Sequence, residues 1–274
     1  MDNYIYTDLA LENSSMSRMG KSESVFVEMG IKIIKTTFDS QKQNGFLPRD
    51  LYYTVDCDNL AYIDEDKLLC VSQIVASKLR EISKKSELYK NPLSVLVIGL
   101  GNRNICADSL GVLACDYINV LDGKNSSVKL SLIQTGVNGQ TGISTSKLCS
   151  SVAKLTEADI VICIDALCAR DPTRLGKVIQ IGTCGIAPGS AILKKRDEIS
   201  YSTVNAPVIS IGIPTVISAQ ALINSFLHTD NYDYEDFESI ANLYVTPSDC
   251  DIIIKNGAYI ISDAINRAFS AYLS

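Results

Sequence analysis

Several absences in this sequence exclude whole classes of chemistry. One histidine, His228, occurs in 274 residues, so no His-rich ligand set exists and a Ser–His or Cys–His nucleophile pair is hard to build. The nine cysteines (Cys57, Cys70, Cys106, Cys115, Cys149, Cys163, Cys168, Cys184 and Cys250) contain no CxxC spacing, are odd in number and mostly lie in apolar segments. They read as small buried hydrophobes in a reducing compartment, with no metal or other cofactor implied. Nothing brings Cys184 and His228 together as a thiol site. No basic block is present, and 25 Lys+Arg against 31 Asp+Glu leave a formal charge of −6. That balance excludes a general nucleic-acid binder or a binder of anionic membranes, and favours a cationic protein partner. The longest apolar runs, 94–101 and 159–167, fall short of the ~20 residues a bilayer span needs, so a soluble protein is expected. Residues 1–8 are acidic and lack the basic and apolar regions of a secretory signal, which predicts a cytosolic location.

What is present is a chain with 46% hydrophobic and 20% charged residues, enough for one large or two small packed domains. The first 30 residues are polar and rich in serine, and read as a flexible arm ahead of a single α/β domain over 31–274. Partial alternation over 31–37 and 51–55 predicts two strands, paired as a hairpin. Apolar residues at Leu68, Leu69, Val71, Ile74, Val75, Leu79 and Ile82 predict a helix over 65–85. From Leu93 onward, short apolar runs without alternation (94–98, 128–133, 159–164, 178–181 and 207–211) predict strands buried on both faces. They alternate with helical patterns over 108–120, 144–155 and 214–227, and a closing helix spans 249–273. This pattern predicts a three-layer αβα sandwich with a mostly parallel central sheet.

In such a sheet, chemistry gathers beyond the carboxyl ends of the strands. After the strand at 94–98 comes Gly99-Leu100-Gly101-Asn102-Arg103-Asn104. Asn104 stands where a dinucleotide fingerprint needs a third glycine, which argues against a nicotinamide site. Asp108 follows, in a position that also suits a helix N-cap. Asp165 ends the apolar run 160–164, and a carboxylate there must be paired, hydrogen-bonded or functional because its desolvation is costly. Arg170 is a candidate structural partner for it. Two carboxylates meeting at one sheet edge can divide acid and base roles. Glycine-rich turns containing Gly139, Thr141 and Gly142, then Gly185, Pro188 and Gly189, then Gly212, follow other strands. They let backbone N–H groups approach a bound chain or a developing oxyanion.

These residues also fall into motifs that resemble the spore germination protease family. The family run GLGNxNxTPDALG appears as GLGNRNICADSLG at Gly99 to Gly111, and IDALAAR as IDALCAR at Ile164 to Arg170. GLTGIETS appears as GQTGISTS at Gly139 to Ser146, TGIxPGS as CGIAPGS at Cys184 to Ser190, and VIAIGVPTVVDA as VISIGIPTVISA at Val208 to Ala219. The terminal motifs RTDLAxE and MVTPKEVD are matched by YTDLALE at Tyr6 to Glu12 and YVTPSDCD at Tyr244 to Asp251. The matches run in order along the whole chain.

The resemblance implies an endopeptidase that starts the degradation of small acid-soluble spore proteins during germination. It also implies a fold like that of the hydrogenase-maturation peptidases, a homotetramer, and a location in the forespore or spore core. The family is made as a zymogen that removes its own prosegment; here that corresponds to residues 1–8, with cleavage between Asp8 and Leu9. The aspartates proposed as catalytic in the family fall on Asp108 and Asp165. Asn102, Gly139, Thr141, Gly142, Arg170, Gly185, Pro188 and Gly189 form the expected oxyanion or substrate-binding rim. No direct contact with nucleic acid or membrane is implied. Two departures stand out: the chain has trimmed connections after Asp122 and His228, and the family's SDTG is Gly182-Thr183-Cys184-Gly185 here. The missing acid leaves a second reading, an inactive or accessory sporulation paralogue that binds without cutting. A metal held by the carboxylates is the mechanistic rival to a purely aspartate-dependent reaction.

Overall fold

Runs of β-branched and aliphatic residues with no polar interruption satisfy their backbone groups by pairing side by side and bury both faces under helices. The computed structural model describes residues 6–12, 20–39, 50–84, 92–124, 126–187, 198–226, 240 and 242–270. Its strands are β1 Lys21–Glu28, β2 Ile31–Phe38, β3 Leu51–Asp56, β4 Leu93–Gly99, β5 Leu121–Asp122, β6 Val128–Gln134, β7 Ile160–Ala169, β8 Val178–Gly182, β9 Val208–Ser218 and β10 Tyr244–Val245. They form one sheet in the order β1-β2-β3-β8-β9-β7-β4-β6-β5, with β10 on the end of β9. The helices are α1 Glu65–Lys84, α2 Leu110–Cys115, α3 Asn138–Thr141, α4 Thr145–Leu155, α5 Tyr201–Val204, α6 Ala219–Phe226 and α7 Cys250–Ser270.

The sheet is mixed, which corrects the expectation of a mostly parallel one. Strands β6, β4, β7 and β9 are mutually parallel, but β8 runs against β9 and continues antiparallel through β3, β2 and β1. Helices cover both faces. Val95, Val97, Ile162, Ile164, Ile209 and Ile211 point to the side of α1, α2 and α7. Leu96, Ile98, Val161, Cys163 and Val208 point to the side of α4 and α5. This two-sided burial is why the central strands carry no alternation.

Three segments differ from the sequence reading. Within the expected arm, residues 6–12 pack into the domain and 21–28 form β1. A polar strand with little burial forms because backbone pairing to β2 holds it. Met29 and Gly30 both take positive φ, 52° and 77°, as a two-residue type I′ hairpin turn requires. The helix expected over 108–120 is a 3-10 turn, Cys106–Asp108, followed by the short α2. The helix expected from residue 214 starts only at Ala219, because β9 runs on beside β7 to Ser218. Backbone ladder pairing with Leu167, Cys168 and Ala169 overrides the helical spacing of the side chains there.

Candidate active site

The turn that follows β4 and ends at Asp108 packs on β7, the strand that carries Asp165. Just past β4, the N–H of Leu100 donates to the carbonyl of Ile164 at 2.9 Å, and Asp165 is the next residue. Asp165 does not end its strand, as the sequence reading had it. It sits within β7, buried at 5% exposure, where pairing passes from β4 to β9 alone. Its Oδ1 accepts the N–H of Ala166 at 2.9 Å. By alternation from Val161 and Cys163, its side chain lies on the α4 and α5 face.

Asp108 closes the 3-10 turn that follows β4. The N–H of Asn102 is shared between the Asp108 carbonyl, at 3.0 Å, and its Oδ2, at 2.9 Å. Asp108 therefore staples the loop Gly101–Asp108 closed rather than capping α2; at the Ser109 N-cap no side chain makes a capping bond. Gly101 makes this closure possible. Its φ is +103°, and a Cβ there would overlap the Asp108 carbonyl oxygen. Gly111 allows α2 to lie directly on the sheet, since a Cβ there would overlap the Ile164 carbonyl. The Thr215 hydroxyl donates to the Ala107 carbonyl at 2.7 Å, fastening the turn to β9, and the turn also packs on β7.

The rim residues divide. Asn102 is nearly buried, and its Oδ1 accepts from Gln140 Nε2 at 2.7 Å and from the Asn104 N–H at 3.0 Å. Gln140 thus ties the turn after β6 to the turn after β4, a link that sequence reasoning missed. Gly139 faces open space, Thr141 bonds its own turn through the Val137 carbonyl, and Gly142 ends α3 at φ +66°. The turn carrying Gly185 follows β8, which runs opposite to its neighbour β9. It therefore leaves the sheet at the end where the parallel strands begin, not on the rim where the turns after β4 and β6 lie; Gly212, read from the sequence as part of a turn, is inside β9, paired with Asp165 and Gln180. Gly185 still borders a cavity of about 210 Å³, together with Asp8, Leu167 and Gln180. Pro188, Gly189 and His228 lie outside the described residues.

Thr183, at the position where the resemblance places an acid, is fully buried, and its Oγ1 accepts the Leu51 N–H at 3.1 Å. An acid nevertheless stands beside it. Asp50, 3% exposed, takes the Cys184 thiol on Oδ1 at 2.7 Å. Burial, then the Asp50 carboxylate, pushes that thiol far above the usual cysteine range. Burial also raises Cys149 and Cys168 to about 12, so these are poor nucleophiles.

The segment 6–12 lies on the α4 and α5 face, beside β7 and β8. The N–H of Asp8 donates to the Cys168 carbonyl at 2.9 Å, and the Cys168 N–H donates to Asp8 Oδ2 at 2.8 Å. The Tyr6 hydroxyl bonds the other carboxylate oxygen. Leu9 is 1% exposed and sits among Leu167, Val178 and Ile186. Glu12 is buried and accepts the N–H groups of Arg170, at 2.6 Å, and Asp171, at 3.1 Å, with Arg174 Nε at 3.3 Å. Arg170, expected beside Asp165, gives its backbone N–H to Glu12. Against burial, hydrogen bonds from Thr173 hold the Asp171 carboxyl below the usual range, helped by the charge of Arg174 and, after it, of Arg170. Among the described residues, no three His, Cys, Asp or Glu side chains gather as a metal set, and no helix is long and apolar enough to cross a membrane.

The sequence model of the germination protease family matches residues 11–234. Curated relatives include a germination protease of Clostridium acetobutylicum, 30% identical over 85% of this chain and 81% of its own length. Another, of Caldanaerobacter subterraneus, is 29% identical over 98% of this chain and 95% of its own length. A third, of Priestia megaterium, is 35% identical over 78% of this chain and 62% of its own length.

Proposed function

Because this chain belongs to the germination protease family, a family of peptidases, we propose that it is the endopeptidase that opens the degradation of small acid-soluble spore proteins in the germinating spore core. We further propose that it is made as a zymogen that cuts itself between Asp8 and Leu9. The observation that carries the second statement is the register across three strands. Asp165 pairs with Gly212, and Gly212 pairs with Gln180, whose side chain bonds the Asp8 carbonyl at 2.9 Å. Asp165 and Gln180, the residue that bonds the Asp8 carbonyl, thus share one row on one face of the sheet, which supports this reading.

In this reading Asp165 and Asp108 divide the proton transfers. One carboxylate draws a proton from water as its oxygen adds to the Asp8 carbonyl carbon. The other delivers a proton to the Leu9 nitrogen as the C–N bond breaks. The loop bonds at Asn102 and Thr215 support a fixed Asp108. Insensitivity of the activity to a chelator distinguishes this mechanism from its metal-dependent rival. A homotetramer would cover the free edge of β1, where Val25, Val27 and Met29 are 60%, 65% and 57% exposed. The fold likeness to hydrogenase-maturation peptidases is part of the same proposal.

Incubating the purified chain with a small acid-soluble spore protein tests the function. Fragments with new amino termini after an acidic residue are expected. Intact substrate beside a folded, prosegment-free chain would favour the non-cutting paralogue.

A further inference from the structure

Gln180 lies mid-strand on β8, 5% exposed, with its side chain on the α4 and α5 face. No motif singles it out. Its two amide atoms hold the two peptide groups that flank Leu9: Nε2 donates to the Asp8 carbonyl at 2.9 Å, and Oε1 accepts the N–H of Ala10 at 2.8 Å. A primary amide used this way copies the donor and acceptor of a strand partner and fixes the backbone on both sides of Leu9, just before the 3-10 turn Ala10–Glu12. The neighbouring side chains are gripped in turn. Asp8 is read by the Cys168 N–H, Leu9 by the apolar socket, and Ala10 lies against Phe38 and Tyr52. Two residues on, the Glu12 carboxylate is taken by two backbone N–H groups and Arg174.

We infer that Gln180 aligns the scissile bond and donates to its carbonyl oxygen, and that the groove over β8 takes a peptide with the backbone pattern of segment 8–12, the held bond followed by a 3-10 turn. The inference rests on the proposed cleavage at Asp8–Leu9. As water adds to the carbonyl carbon, negative charge gathers on the oxygen that Nε2 already contacts, and a donor fixed there stabilises it without reorganisation. The segment 8–12 occupies the groove in cis; a substrate of the same pattern uses it in trans after the segment withdraws.

The test uses the full chain and intact-mass time courses of self-processing. Removing one such donor costs on the order of 10²- to 10³-fold in rate, so Gln180→Ala should process that much more slowly, with thermal unfolding recorded to confirm a folded chain. Gln180→Glu separates the catalytic role from a structural one. An ionised carboxylate still accepts from Ala10 but cannot donate to Asp8, whereas the protonated form can. Its processing, relative to wild type at each pH, should recover as pH falls through the carboxyl titration. A folded Gln180→Ala that processes at the wild-type rate, or a Gln180→Glu whose ratio to wild type is flat with pH, overturns the inference. A wild-type chain that is cut elsewhere or not at all overturns the cleavage reading instead, and that outcome is visible without any Gln180 variant.

Discussion

Strands β4, β7 and β9 run parallel with nearly every side chain buried, whereas β1, at the far antiparallel edge, has most of its side chains in solvent. The two regions hold together by different means. The centre rests on apolar burial against α1, α2 and α7 on one face and α4 and α5 on the other; the edge rests on backbone pairing and one hairpin turn. The proposed function divides along the same line. The parallel centre carries Asp165 and anchors the Asp108 loop, while β8, the first antiparallel strand, carries the groove for the segment 8–12. In the proposed function, the seam between β9 and β8 is where chemistry and recognition meet.

The largest effect expected from breaking this division is kinetic. Asp165→Asn or Asp108→Asn should slow self-processing by about 10²- to 10⁴-fold, the range for a positioned acid or base, with little change in thermal unfolding. A variant that processes normally would remove that residue from the mechanism. Next, Ile162→Ala in the centre should cost about 2–5 kcal/mol in denaturant unfolding, as full-sized core truncations do. Glu12→Gln keeps the shape but removes the charge from two N–H groups and Arg174, and should cost about 1.5–3 kcal/mol. A negligible loss would mean that segment 6–12 is not part of the cooperative unit.

Smaller effects belong to the surface. The Arg103 guanidinium, bonded to both carboxylate oxygens of Asp116, holds that carboxyl below its ordinary 3.8, with Gln134 assisting. A depressed folded value means that the pair's contribution is complete above 3.8 and disappears as pH falls through the folded value. Asp116→Asn should therefore cost at most about 1 kcal/mol near neutral pH and nothing in strong acid. Val27→Ala on β1 should stay within about 0.5 kcal/mol. A larger loss that depends on protein concentration would sharpen the comparison by showing that the β1 edge is covered in an oligomer.

The contrast also governs what could be read from the residues alone. The expected strands at 94–98, 128–133 and 178–181 and the helices at 65–85, 144–155 and 249–273 match the observed elements closely, because their apolar patterns report the burial that forms them. β1 was invisible because its pairing uses the backbone and its side chains record almost nothing. The end of β9 was misread because Ile213, Val216 and Ile217 fit a helical stripe as well as a strand, and only the neighbouring β7 decides between them. Asp108 and Asp165 could be singled out as carboxylates following buried runs. Gln180 and the Cys168 N–H could not: a glutamine inside a strand has no signature, and a backbone donor has no residue type.

The central claim is that a carboxylate on β7 cuts the bond held over β8, and an intact-mass time course of the wild-type chain beside Asp165→Asn tests it most directly. The account predicts that wild type loses residues 1–8 as a single step while the folded variant keeps its full mass. Loss of the same segment by both chains at the same rate would contradict it.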